Sequence, residues 1–214
     1  MKEVFMSTSK NHLEDKHYNP SVFAVGRLIG YMDGDKRVVI KKDFRKAVKE
    51  QLKVNNRQLK VFMDTLIELG LVEEDKDRYY WNPLTTDFIK LKPSTIRYCV
   101  KVLSPITFKV YCYLMSKKCI HDKYEMKENY FFSCVDLLKI CGYTNTGRNI
   151  EMMNQILFSL KRLKLIDFNE EYVSRPGARN MYRELLDVME QSDVQKKAYV
   201  AKKEEQWLVK SDLD

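Results

Sequence analysis

The chain has few of the residues from which phosphate cradles, metal sites and acid–base pairs are built. Seven glycines and three histidines in 214 residues leave no P-loop, no glycine-rich dinucleotide loop and no H-E-x-x-H pair. A nucleophile elbow is missing too, as are paired carboxylates in apolar surroundings, so neither an enzyme nor a cofactor is expected. The five cysteines, Cys99, Cys112, Cys119, Cys134 and Cys141, are odd in number and never spaced C-x-x-C, which argues against a disulfide framework. Cys119, His121, Cys134 and Cys141 could supply four zinc ligands. No pair has zinc-finger spacing, however, and the neighbours are apolar, so buried structural thiols are the simpler reading and no metal is expected. No apolar run is long enough to span a bilayer and there is no signal-peptide core. A cytoplasmic protein with no membrane partner is therefore expected.

What the chain does have is basic charge and two repeats of one pattern. Pro20 to Thr95 carries 15 Lys/Arg against 11 Asp/Glu, and Ile96 to Leu186 carries 15 against 9, whereas Asp187 to Asp214 is net acidic. A basic surface on the central part suits a polyanion. The 13 tyrosines invite a relaxase or recombinase reading, but no histidine cluster for a metal accompanies them. They read as core and hairpin residues.

The first copy of the pattern runs from Val54 to Pro83. Leu59, Phe62, Met63, Leu66, Ile67 and Leu69 recur at helical spacing, which predicts one buried stripe. Asn55 or Asn56 can cap the helix and Gly70 can end it in the left-handed conformation. Leu71 and Val72 then start a strand, Glu73 to Arg78 turns, and Tyr79, Tyr80 and Trp81 return before Pro83. The second copy runs from Thr144 to Tyr182, about ninety residues later. Ile150, Met153, Leu157, Leu160 and Leu163 form its stripe, followed by Leu165, Ile166 and Phe168. A helix running into a two-stranded hairpin is the core of a winged helix.

The expected fold is mainly α with small β-hairpins (α+β): two tandem winged helix-turn-helix domains plus a C-terminal helix. The reading divides the chain into a flexible arm (1–19), domain one (20–95), domain two (96–186) and a charged tail (187–214). In domain one, Pro20 to Met32 reads as a helix, Arg37 to Ile40 as a strand, and Asp43 as the cap of a helix that turns Phe44, Ala47, Val48 and Leu52 inward. In domain two, Ser94 to Val102 reads as a short helix. Ser104 and Pro105 open another over Ile106 to Lys118, with Phe108, Tyr111, Cys112, Leu114 and Met115 inward. Tyr130 to Phe132 is a strand, Ser133 caps Val135 to Ile140, Gly142 ends that helix and Thr144 starts the next. Val188 to Asp214 has helical propensity and few apolar anchors, Trp207 the largest. It either packs back on its own chain or serves a homodimer or a replisome protein.

From Lys36 to Lys60 there are ten basic residues and two acidic ones. A solvated face explains such a run, yet it coincides with the helix pair that meets DNA in this fold. Asn56, Arg57, Gln58 and Lys60, with Thr146, Arg148, Asn149 and Asn154, are the residue types that read base edges. Polar residues at a helix start are also simply good caps. Lys41, Lys42, Arg45, Lys46, Lys161 and Arg162 suit phosphate contacts. The first hairpin tip is acidic, whereas the second, Ser174 to Asn180, projects Arg175 and Arg179 around Pro176 and Gly177.

The segments L-I-E-L-G-L-V and Y-Y-W-N-P are similar to the helix-and-wing segment of Firmicute plasmid replication proteins. F-K-V-Y-C-Y-L and L-L-K-I-C-G-Y look like those of phage and plasmid initiator modules. The order of parts thus resembles bacterial plasmid and phage replication initiators with tandem winged helices, across about two thirds of the chain. That resemblance implies double-stranded DNA binding at an origin or operator and transfers no individual residue. A replication initiator or regulator of a mobile element is the function expected. The alternative is a replisome interaction module of the helicase-loading type.

The two tips are expected to differ in use, because carboxylates are repelled by a minor groove while guanidinium groups fit a narrow one. R175A/R179A should abolish a preference for A·T-rich over G·C-rich flanks that the unaltered protein shows in a binding assay. Equal binding of both flanks by both proteins rejects groove reading.

Overall fold

The computed structural model describes residues 19, 21–22, 25, 38–82, 91–126, 130–174, 180–191, 193–194 and 198. The N-terminal arm, most of the helix expected over Pro20 to Met32, the hairpin tip with Arg175 and Arg179, and the tail with Trp207 lie outside the described residues. Among the described residues, six helices and two small antiparallel sheets make an α+β fold.

In the first half, β1 (Val38–Ile40) leads into α1 (Lys41–Leu52), α2 (Asn56–Glu68), β2 (Val72–Glu74) and β3 (Arg78–Trp81). The last strand takes the middle of its sheet: Val38 pairs with Tyr80 on one side and Val72 with Trp81 on the other. Phe44, Ala47, Val48 and Leu52 of α1 are buried as expected, and Phe44 meets Tyr79 edge-on at 5.5 Å. Asp43 is not the cap. The N-cap is Ile40, which makes no side-chain bond, and Asp43 sits in the first turn, where its charge still complements the helix dipole. The hairpin turn is also tighter than expected, because Glu73, Glu74 and Arg78 belong to the strands and only Asp75 to Asp77 remain at the tip.

Two helices follow, α3 (Pro93–Val102) and α4 (Pro105–Lys123). Ser104 caps α4 by accepting from the Thr107 amide. Sequence periodicity implies one inward stripe on α4, but every residue from Thr107 to Ser116 is buried. A helix buried on every side belongs inside a core, here with Thr107, Lys109 and Ser116 buried among the apolar residues, and α4 contacts α3 and three elements of the second half. Those are β4 (Tyr130–Phe132), α6 (Gly147–Arg162) and β7 (Met181–Val188), with α5 (Cys134–Ile140), β5 (Ile166–Phe168) and β6 (Val173–Ser174) completing that half.

The second half repeats the connectivity of the first. Its last strand, β7, again lies centrally, pairing Tyr130 with Leu185 and Ile166 with Val188. A short extra ladder pairs Val173 with Tyr182 and Ser174 with Met181. Val188 therefore ends a strand and does not begin the tail helix, and the Met189 amide still bonds Leu165 O.

The capping chemistry recurs as well. Asn55 accepts from the Gln58 amide at 2.9 Å and Gln58 returns a bond to the Asn55 amide at 3.2 Å, a reciprocal box. Ser133 and Asp136 form the same box on α5. α6 is capped by Thr146, two residues beyond the expected Thr144. α2 and α6 both leave through a left-handed residue, Gly70 (φ 67°) and Lys164 (φ 56°). In each case a six-to-one bond closes the turn, Leu71 N to Leu66 O and Leu165 N to Leu160 O.

The halves meet through α3, which packs on α1 as well as α4. Its first turn is completed from the far end of the chain. Glu190 accepts from the Lys92 amide and from the Thr95 hydroxyl, both at 2.8 Å. Thr95 in turn accepts from the Gln191 amide at 3.1 Å, and Lys92 Nζ pairs with Asp193 at 2.9 Å. This carboxylate caps a helix some hundred residues away in sequence, so the start of the tail is tied to the connector.

Two outcomes check this account by denaturant unfolding. A Cβ at Gly70 meets nothing within 4 Å, so G70A should lose about 1 kcal/mol through backbone strain alone, while K164G should gain about 0.5 kcal/mol. E190A should cost about 1 to 3 kcal/mol by leaving two donors without an acceptor, and E190Q, which keeps an acceptor oxygen, about half as much.

Candidate nucleic-acid interface

Three exposed helix faces carry the candidate residues. On α1, Lys42, Arg45, Lys46 and Lys49 are all exposed and recur at i, i+3, i+4 and i+7, which places them in one stripe. Lys41 does not join them. Its Nζ pairs with Glu74 at 3.1 Å and lies 5.1 Å from the Tyr79 ring centroid, and its amide bonds Asp77 O. Lys41 is a clip between α1 and the first hairpin.

On α2, Asn56, Arg57, Gln58 and Lys60 are exposed. Gln58 spends its carbonyl oxygen on the Asn55 cap. The exposed arc continues through Val61, Asp64 and Glu68, so the face is basic at its N-terminal end and acidic at the other.

On α6, Arg148 is exposed and holds the same place as Arg57, second after the N-cap. Thr146 is consumed as the cap, and Asn149, half-buried, donates to Thr144 O at 2.8 Å, so both shape the loop ahead of the helix. Asn154 is turned inward and accepts from Cys134 Sγ at 3.1 Å. Lys161 is turned to the second hairpin, where it donates to Phe168 O at 2.8 Å and pairs with Asp167 and Glu170. Neither of these is presented to a ligand. At 100° per residue, Arg148, Glu151, Gln155, Phe158 and Arg162 share an exposed arc of about 80° opposite Met153, Leu157 and Leu160. Gln155, Phe158 and Glu151 were not singled out from the sequence, where residues were chosen by polar type rather than by their place on the helix face. Projecting the buried stripe to its opposite side finds them.

The helix–hairpin junctions of the two halves differ. In the first, a groove of about 450 Å³ has Leu59, Met63, Ile67 and Tyr79 along its floor and Arg45, Lys60, Asp64 and Glu74 at its rim. In the second, aromatic side chains occupy the junction. Phe158 packs edge-on against Phe168 at 5.7 Å, and the buried Arg183 guanidinium lies 4.6 Å from the Tyr172 ring, 5.4 Å from Phe168 and 5.8 Å from Phe158. Arg183 also donates to Tyr172 OH at 2.6 Å and to Cys134 Sγ at 3.2 Å. A guanidinium tolerates such burial because its flat, weakly hydrated faces stack on rings. Nothing in the alternating strand M-Y-R-E-L-L marks it for the interior.

Four of the five thiols, Cys99, Cys112, Cys134 and Cys141, are buried as expected, and Cys119 is exposed. Burial pushes Cys99 up to about 12 and Cys141 up to about 11, so both stay protonated at neutral pH. Burial likewise raises Cys134, against the hydrogen bond and charge of Arg183. Among the described residues, no group of three or more His, Cys, Asp or Glu side chains could hold a metal, and no helix is long and apolar enough to cross a membrane.

The first hairpin is acidic at Glu73, Glu74, Asp75 and Asp77, all exposed. Glu73 accepts from Asn82 Nδ2 at 2.8 Å and Glu74 from Lys41. No protein-family model matches this sequence, and no curated protein matches it either.

Proposed function

We propose that the chain is a sequence-specific double-stranded DNA-binding protein made of two tandem winged helix-turn-helix units, acting as a replication initiator or regulator of a plasmid, phage or other mobile element. The observation that carries this reading is the equivalence of Arg57 and Arg148. Each is exposed, second after a side-chain-capped helix start, in a half that runs strand–helix–helix and closes with antiparallel strands, two in the first half and three in the second. That is the end of a recognition helix that contacts base edges, and arginine there suits guanine.

The halves divide the work. The α1 stripe of Lys42, Arg45, Lys46 and Lys49 supplies phosphate contacts and hence affinity, while the longer exposed face of α6 supplies readout. One chain with two unlike readers needs no palindrome. The acidic first hairpin and its open groove favour a second reading, a replisome docking module in which that half faces protein instead of DNA.

A salt titration separates the two. A DNA binder loses affinity linearly on a log–log plot with a slope of about −0.9 per phosphate neutralised, and K42A/K46A should flatten that slope by about two. A docking module has little affinity to lose at any salt. On a duplex recovered by selection, R57A and R148A should each cost about 1 to 3 kcal/mol and relax sequence preference. Equal losses on recovered and random DNA would reduce both arginines to phosphate contacts.

A further inference from the structure

Phe158 is a large apolar side chain, 44% exposed, on a helix face otherwise made of Arg148, Glu151, Gln155 and Arg162. Its inner side already rests on Phe168 at 5.7 Å and on the Arg183 guanidinium at 5.8 Å. One side of the ring is thus packed while the other is open, so covering it costs less rotamer freedom than covering an unpacked side chain.

On the DNA reading, on which this inference rests, the partner of the α6 face is a major groove. The floor of that groove offers hydrogen-bond donors and acceptors at every base pair and a single kind of apolar group, the C5-methyl of a pyrimidine. Gln155 lies three residues earlier, about 4.5 Å along the axis and about 60° around it. That offset is close to one base-pair step, and a glutamine amide pairs with the N6 and N7 atoms of adenine.

We infer that Phe158 reads a pyrimidine C5-methyl group at the base pair adjoining an adenine held by Gln155. In ordinary DNA the methyl is thymine's; in modified DNA it is that of 5-methylcytosine. Phe158 is then a specificity residue whose contact is made by apolar burial alone. The polar residues around it fix which step of the groove it meets.

The experiment uses the full chain and a duplex that it recovers from a random pool. Each thymine is replaced in turn by deoxyuridine, which removes only the methyl, and in a parallel series each cytosine is replaced by 5-methylcytosine. The unaltered protein should lose about four-fold in affinity at one or two neighbouring thymines, the worth of one buried methyl. F158A should bind the thymine and deoxyuridine duplexes alike, at a level within about two-fold of the unaltered protein on deoxyuridine, which also shows that the variant is folded. F158L should keep part of the difference. A gain on 5-methylcytosine with no response to deoxyuridine assigns the same contact to the modified base. Indifference to every methyl, or a thymine preference that survives in F158A, overturns the inference while leaving DNA binding intact. Recovery of no duplex overturns the DNA reading and this assignment with it.

Discussion

In each half a single strand holds both ends of the helix pair. β3 hydrogen-bonds β1, which leads into α1, and β2, which follows α2; β7 does the same for β4 and β5. The helices cannot change angle without breaking one of those ladders, and buried backbone groups that lose partners are expensive. The presentation of α2 and α6 is thus set by sheets of three and four strands. Each sheet is too small to stand alone and is stabilised by the helices it fixes.

On that common frame the two halves have been filled differently. The first has a bare groove and carboxylates beside its helix, with basic charge displaced onto α1. The second has its junction packed with rings around Arg183, and a helix of 16 residues against 13, about 4.5 Å longer. The exposed face of α6 ends on Arg162, whereas that of α2 ends on Asp64 and Glu68. Like architecture therefore does not mean like contact.

The parts legible in the sequence were those decided locally. The α2 and α6 stripes, the Asn55 and Ser133 caps and the left-handed Gly70 follow from side-chain period and backbone chemistry within a few residues. Exposure of Arg57 and Arg148 follows from the same stripes. What was illegible was set by distant partners. The start of α1 is fixed by the strand before it and by the Lys41 amide on Asp77 O, which leaves Asp43 inside the first turn. α4 is buried on every side because four separate elements surround it, and no window of its own sequence contains them. Lys161 and Asn154 lie at the edge of the α6 stripe, where the carboxylates of a hairpin and the thiol of another helix decide their direction. The length of β7 depends on Leu165, which accepts from Met189.

The capping of α3 by Glu190 has a kinetic meaning. The bond from the Lys92 amide spans 98 residues, so it forms only after a long loop has closed and after the second half has been synthesised, since chains emerge from the N-terminus. Until then the Lys92 amide and the Thr95 hydroxyl do not have the Glu190 carboxylate as acceptor. Contacts that close last are absent from the folding transition state, and weakening them speeds unfolding while leaving the folding rate almost unchanged. A joint that closes this late is expected to slow unfolding more than it speeds folding.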